Sequence, residues 1–148
     1  MQSLVDIRHI EHSDYDLEAS FSVMKELRPH LKDRATYAVQ IAHQRAQGYR
    51  LLAAWGNGAI VGLAGYRQMD NLLYGRFVYI DDLVVTASLH RSGVGERLLQ
   101  AARQQAIALN CENFVLDTGL HMALVQRFYF RQGLLARGMH FVEPLLQE

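Results

Sequence analysis

The stretch "RFVYIDDLVVTASLHRSGVGERLLQAARQQAIALN" constrains the fold more than any other part of the chain. An apolar run over residues 76–85 reads as a strand. A short loop follows, then a helical pattern over 93–110. Val94, Leu98, Leu99, Ala102, Ala106 and Leu109 recur at helical spacing, while Glu96, Gln100, Arg103 and Gln104 fall on the opposite side. "NFVLDTG" reads as the next strand, so this helix is a crossover between strands of one sheet.

Two glycines, Gly93 and Gly95, stand one residue apart where the helix begins. A turn needs only one. A pair predicts that a ligand approaches the backbone closely. A helix starting there leaves about four N–H groups without acceptors and places roughly half a positive charge at its tip. An anion fits that environment, a phosphate best of all. His90 and Arg91 add donors at the rim. The named phosphate fingerprints do not apply, because no Lys-Ser/Thr follows the glycines and Glu96-Arg97-Leu98 stand where a third glycine would. A plain tight turn is the competing reading of the pair.

The remaining elements read as follows. Residues 4–10 alternate as a strand, and Ser13 or Asp14 then offers an N-cap. Leu17, Phe21, Met24, Leu27 and Leu31 mark one helix, with Pro29 breaking or bending it. A second helix fits 33–47, with Ala38, Ile41, Ala42 and Arg45 on neighbouring turns and Gly48 as its stop. "YRLLAAWGNGAIVGLAGYRQM" reads as two strands joined at Gly56-Asn57-Gly58. Residues 69–76 read as a loop carrying Leu72, Leu73 and Tyr74, which would cover a substrate slot or form a dimer contact. "MALVQRFYFRQG" reads as a short helix ending at Gly133, and "LARGMHFVEPL" as a closing strand. The expected architecture is a single α/β domain over 1–148, with antiparallel strands first, helical crossovers later, and hence a mixed sheet.

Composition narrows the function. Lys+Arg and Asp+Glu balance at 15 each over 148 residues. A net charge of zero gives no electrostatic case for nucleic acid or for an anionic membrane. Cys111 is the only cysteine. An intramolecular disulfide is therefore excluded, and an inert buried thiol is expected. The seven histidines include no HExxH and no ligand spacing, so no metal is expected. The N-terminus has no basic region followed by an apolar run, and no run is long enough to span a membrane. The expected compartment is the cytoplasm.

"HRSGVGE" resembles the acyl-CoA loop of the GCN5-related N-acetyltransferases, Arg/Gln-x-x-Gly-x-Gly/Ala, with His90 at the basic position. "YIDDLVV" is similar to that family's central strand, "FVLDTG" to the strand that splays from it, and "RFYFRQGL" to its "FYxxxGF" helix. "RGMHFV" resembles its closing strand, and the two early helices with "GYRLLAAWGNGAIVGLAGYR" are similar to its acceptor-side half, so the resemblance covers essentially the whole chain. The resemblance implies a GNAT-like fold with splayed middle strands flanked by about four helices. It implies acetyl-CoA as acyl donor and an amine of a small molecule or peptide as acceptor, joined by direct attack on the thioester. It places Leu83, Val84 and Val85 along the pantetheine arm, with a backbone N–H among them for the oxyanion. His90, Arg91, Ser92, Gly93, Val94, Gly95 and Glu96 would hold the pyrophosphate. Tyr129 would protonate the departing sulfur.

Asp81 and Asp82 are the candidates for relaying the amine proton or binding a cationic acceptor. In a regular strand they point to opposite faces, Asp81 with Tyr79, Leu83 and Val85, Asp82 with Ile80 and Val84. A non-catalytic acyl-CoA-binding module on the same fold is the alternative reading of the chain.

Overall fold

The computed structural model describes residues 5–11 and 14–146, without the side chain of Asp14. Leu4 and the candidate caps Ser13 and Asp14 therefore lie outside the described positions or side chains. The chain divides into two compact units, Met1–Asp117 and Thr118–Glu148.

The first unit is built on a five-stranded sheet in sequence order: β1 (Asp6–His9), β2 (Tyr49–Gly56), β3 (Ala59–Asn71), β4 (Gly75–Val85) and β5 (Asn113–Leu116). The first three pairings are antiparallel and the last, β4 with β5, is parallel. The sheet is mixed for the reason given by the sequence: hairpins join β2 to β3 and β3 to β4, and helix α3 (Val94–Ala108) crosses over to β5. Helices α1 (Asp14–Leu27) and α2 (Arg34–Ala46) cover one face. There Leu17, Phe21, Met24, Tyr37 and Ile41 pack on Tyr49, Leu51, Ala53 and Leu63. Helix α3 covers the other face, where Val94, Leu98, Ala102 and Ala106 pack on Leu52, Ala54, Ala64, Val78 and Ile80.

Local chemistry explains most boundaries. Helix α1 stops at Leu27, short of the expected Leu31, because the residue before a proline avoids helical ψ. Leu31 still packs on the core from the turn. Asp33 caps α2, its carboxylate accepting the Thr36 N–H at 2.7 Å. Gly48 ends that helix at φ +94°. Asn57 and Gly58 both have positive φ, the requirement of a two-residue hairpin turn that matches strand twist.

Two expectations about connections change. Residues 69–76 are not a loop. Met69 pairs with Phe77 and Asp70 with Arg76, so the β3–β4 hairpin runs to a tip at 72–74. The added rungs set Met69 opposite Phe77 and the oppositely charged Asp70 and Arg76 across from each other, pairs that favour a ladder. Leu72 and Leu73 are fully exposed at that tip.

Unit 2 contains helix α4 (Ala123–Arg131), which closes at Gly133 (φ +91°) with the Leu134 N–H bonded to Tyr129 O at 3.1 Å. The expected closing strand is not formed: residues 134–146 have no regular structure. A strand needs a ladder partner for its N–H and C=O groups. No ladder to this segment forms among the described residues, and Gly138 and Pro144 interrupt its alternation. Cys111 is half-buried rather than buried. No described helix is long and apolar enough to cross a membrane.

Candidate active site

The site begins where β4 and β5 part. Their pairing covers Phe77–Asn113 through Ile80–Leu116 and stops, while β4 continues to Val85. On its other side β4 stays paired with β3 to the end, Gly62 opposite Val85. The Thr86 N–H donates to Val61 O at 2.9 Å. In an antiparallel ladder the backbone groups alternate in direction, so Val84 and Asp82 also direct theirs toward β3. Leu83 and Val85 direct theirs to the side β5 has left. Of the three expected strand residues, Leu83 directs both its N–H and its C=O to the slot, Val85 directs its N–H there while its carbonyl accepts from His90, and Val84 does neither.

The paired glycines frame the next element. Gly93 is the N-cap of α3 at φ +90°, a conformation that disfavours any side chain. The space around its missing Cβ is open to 4 Å. Among the N–H groups of the first turn, Val94 has only a marginal contact to Ser92 Oγ at 3.5 Å. Gly95 and Glu96 have no acceptor within the helix. Val94 turns its side chain into the core, where it lies 3.3 Å from the position of a Cβ on Gly62. Gly62 thereby lets α3 pack tightly on the sheet.

The side chains of the loop are largely used to build it. His90 Nε2 donates to Val85 O at 2.8 Å, which fixes the Nε2–H tautomer and ties the loop to the end of β4. Ser92 Oγ–H donates to Leu89 O. Arg91 is exposed at φ +67°. Of the two donors expected at the rim, His90 is taken up as a brace and Arg91 is left exposed.

The aspartates differ from expectation. Ile80 pairs with Tyr66 and Asp82 with Gly65, leaving Asp81 as the extra residue of a bulge. An extra residue shifts the alternation by one. Asp81 and Asp82 therefore both lie on the α1/α2 face, while Ile80, Leu83 and Val85 lie toward α3. Asp81 accepts two bonds from Arg67, at 2.9 Å from Nε and 2.8 Å from Nη2. Asp82 accepts from Arg28 Nε at 3.1 Å and from the Tyr49 phenol at 2.8 Å. Arg28 also donates to the Asp81 carbonyl at 2.9 Å, so one guanidinium clasps both residues of the bulge.

Tyr49 reaches Asp82 through a gap left by Gly65: a Cβ there would stand 1.8 Å from the phenol oxygen. Burial, then the charge of Asp82, pushes the Tyr49 phenol far up, so it acts only as a donor. The side-chain bond from Asp81 is the main cause holding the Arg67 guanidinium further up.

These groups line a cavity of about 380 Å³, completed by Gln40, Gln44 and Gln47 of α2 and its C-terminal end. The 69–76 segment does not line it. Sequence reasoning did not find the glutamines or the two arginines. The only signal was the polar i, i+4 spacing of Gln40 and Gln44, bonded to each other at 3.0 Å. Across the base of the slot, the Tyr79 phenol donates to Asp117, and Arg67 lies 5.8 Å from the Tyr79 ring.

Tyr129 lies on α4, half-buried, its ring tilted against Phe128 at 5.5 Å. Burial pushes its phenol up, so it stays protonated at neutral pH. Among the described residues no group of three His, Cys, Asp or Glu is placed to hold a metal ion.

Leu72 and Leu73 cannot cover the slot. They sit at the start of β4, and eight residues of strand, about 25 Å, separate Gly75 from Leu83.

Comparison with known proteins identifies the arrangement. The chain is similar to an uncharacterized N-acetyltransferase, YhdJ, of Bacillus subtilis, 33% identical over 85% of this chain and 89% of that one. Its fold is similar to an acetyltransferase of Trypanosoma brucei, with a TM-score of 0.80, 20% identity, and 96% and 100% of the two chains covered. It is similar also to the aminoglycoside N-acetyltransferase AAC(6')-Iy in complex with CoA, with a TM-score of 0.84, 20% identity, and 99% and 98% covered. The model of the acetyltransferase (GNAT) family matches residues 4–134, and the chain belongs to that family.

Proposed function

We propose that this acetyltransferase moves the acetyl group of acetyl-CoA to a primary amine by direct attack on the thioester. The observation that carries the reading is the coincidence of two backbone surfaces at one end of the sheet. Past its pairing with β5, strand β4 has no ladder partner on that side for Leu83 or for the Val85 N–H, the Val85 carbonyl being taken by His90. Helix α3 opens with N–H groups at Gly95 and Glu96 that have no acceptor within the helix, beside Val94 with its marginal contact to Ser92. The first pairs with the amides of a pantetheine arm as a strand would. The second receives the pyrophosphate at the positive end of the helix dipole, with Arg91 as its side-chain partner.

The amine enters from the α1/α2 face, past the bulge. Its nitrogen attacks the thioester carbonyl, and the carbonyl oxygen takes the negative charge. The Leu83 or Val85 N–H is the donor for that oxyanion. The C–S bond then breaks, and the departing sulfur takes a proton from the Tyr129 phenol, which its raised pKa keeps in the acid form. Asp81 and Asp82 serve through their arginines, fixing the bulge and the mouth of the cavity. A water relay from either carboxylate removes the amine proton.

The test is release of CoA thiol from acetyl-CoA in the presence of a broad amine panel. Thiol release that requires an amine, with an acetylated product, supports the reading. Acetyl-CoA binding without turnover on any amine supports the non-catalytic module instead.

A further inference from the structure

The cavity on the α1/α2 face is polar on every side, yet its formal charges cancel. Asp81 is answered by Arg67 through two bonds, and Asp82 by Arg28 at 3.0 Å. No carboxylate is left over to draw in a polycation, and no guanidinium to hold an anionic group. The expectation that an acidic pair selects a strongly cationic acceptor therefore lacks its basis. An alkyl chain fits no better, since no apolar side chain lines the space and burying these groups against hydrocarbon costs their hydration.

What remains are three amides. Gln40, Gln44 and Gln47 lie at i, i+4 and i+7 along α2 and its end, on one face. Each amide both donates and accepts, and a hydroxyl group does the same. A row of such groups at helical pitch, opposite two closed ion pairs, matches a ligand with several hydroxyls.

Resting on the N-acetyltransferase reading above, we infer that the acceptor is a hydroxylated amine of the amino-sugar type, recognised through the α2 glutamines by hydrogen bonds rather than by charge. The reactive nitrogen then points past the bulge, and the hydroxylated body occupies the cavity.

The experiment compares glucosamine, hexylamine, spermidine and glutamate as acceptors, read by CoA release and at two salt concentrations. Glucosamine should give the highest kcat/KM, by about tenfold over hexylamine. Its KM should change by less than about twofold between 0.02 and 0.3 M salt, because a balanced cavity has little net field to screen. Gln44→Leu should raise the glucosamine KM about threefold to tenfold, the loss of one or two neutral hydrogen bonds, and leave the acetyl-CoA KM unchanged. Gln40→Leu, on the exposed part of the same face, repeats the test if Gln44→Leu does not fold.

A preference for hexylamine, spermidine or glutamate overturns the inference alone. So does a steep salt dependence, or an unchanged glucosamine KM in a folded variant. No turnover on any amine overturns it together with the N-acetyltransferase reading.

Discussion

Beyond Ile80, strand β4 offers two surfaces made of different material. Toward the side β5 has left, it presents the backbone of Leu83 and Val85, continued by the bare first turn of α3. Toward α1 and α2, it presents Asp81 and Asp82, each held by a side chain from elsewhere in the chain. The first surface is proposed to hold the donor, the second the acceptor. A backbone surface depends on chain direction and on the absence of side chains. A side-chain surface depends on which residues happen to meet. Changes aimed at one should leave the other intact.

Four substitutions probe that separation, from the largest expected effect downward. Gly93→Glu puts a carboxylate where the phosphate would sit, at a φ that resists any side chain. CoA affinity measured by calorimetry should fall about a hundredfold or more, near 2.7 kcal/mol. Unchanged affinity would remove the phosphate loop and with it the backbone surface.

Tyr129→Phe removes the proposed acid and keeps the ring, so it should lower kcat about tenfold to a hundredfold and leave both KM values nearly unchanged. The raised phenol also fixes a sign. The protonated form is the reactive one, so any loss of rate from Tyr129 ionisation appears only on the alkaline side of an ordinary phenol's titration. That basic limb should be missing from the Phe variant. Equal kcat in the two proteins would return Tyr129 to packing alone.

Gly65→Ala forces the Tyr49 phenol out of its gap, since the new Cβ would stand 1.8 Å from its oxygen. Overpacking of this kind costs about 1–3 kcal/mol and should lower the melting temperature. In the folded fraction, acceptor KM should rise while CoA affinity holds. A parallel loss of both would show that the two surfaces are mechanically one.

Asp82→Asn removes the charge that faces Arg28 but keeps an oxygen for the Tyr49 phenol. Acceptor KM should rise about tenfold at most, near 1.4 kcal/mol. Steady-state kinetics with acetyl-CoA varied should give the wild-type KM. Wild-type acceptor kinetics would separate Asp82 from the acceptor altogether.

The backbone surface was largely legible in the sequence, because its determinants are local. Gly93 and Gly95, the stripe of α3, the Asn57-Gly58 turn and the Asp33 cap each act within a few residues. The side-chain surface was not legible. Arg28 meets Asp82 across 54 positions, and Tyr49 meets Asp82 across 33. Neither pairing leaves a pattern in the sequence.

The bulge at Asp81 was hidden for a related reason. One extra residue in a ten-residue apolar run does not disturb the reading of a strand, yet it moves Leu83 and Val85 to the other face. The closing strand failed the opposite way. Its alternation is present in "MHFV", but a ladder is a property of two segments, and residues 134–146 are not part of any described strand.

The brace from His90 to Val85 O and the clasp of Arg28 on the bulge fix the ends of one five-residue span. This has an evolutionary reading. The donor surface is indifferent to the identity of most side chains around it, so α2 and the turn after Arg28 are free to vary under it. On the proposed assignment of the two surfaces, a lineage carrying this scaffold would change what it acetylates by drifting at Gln40, Gln44 and Gln47, and would keep its hold on the donor while doing so.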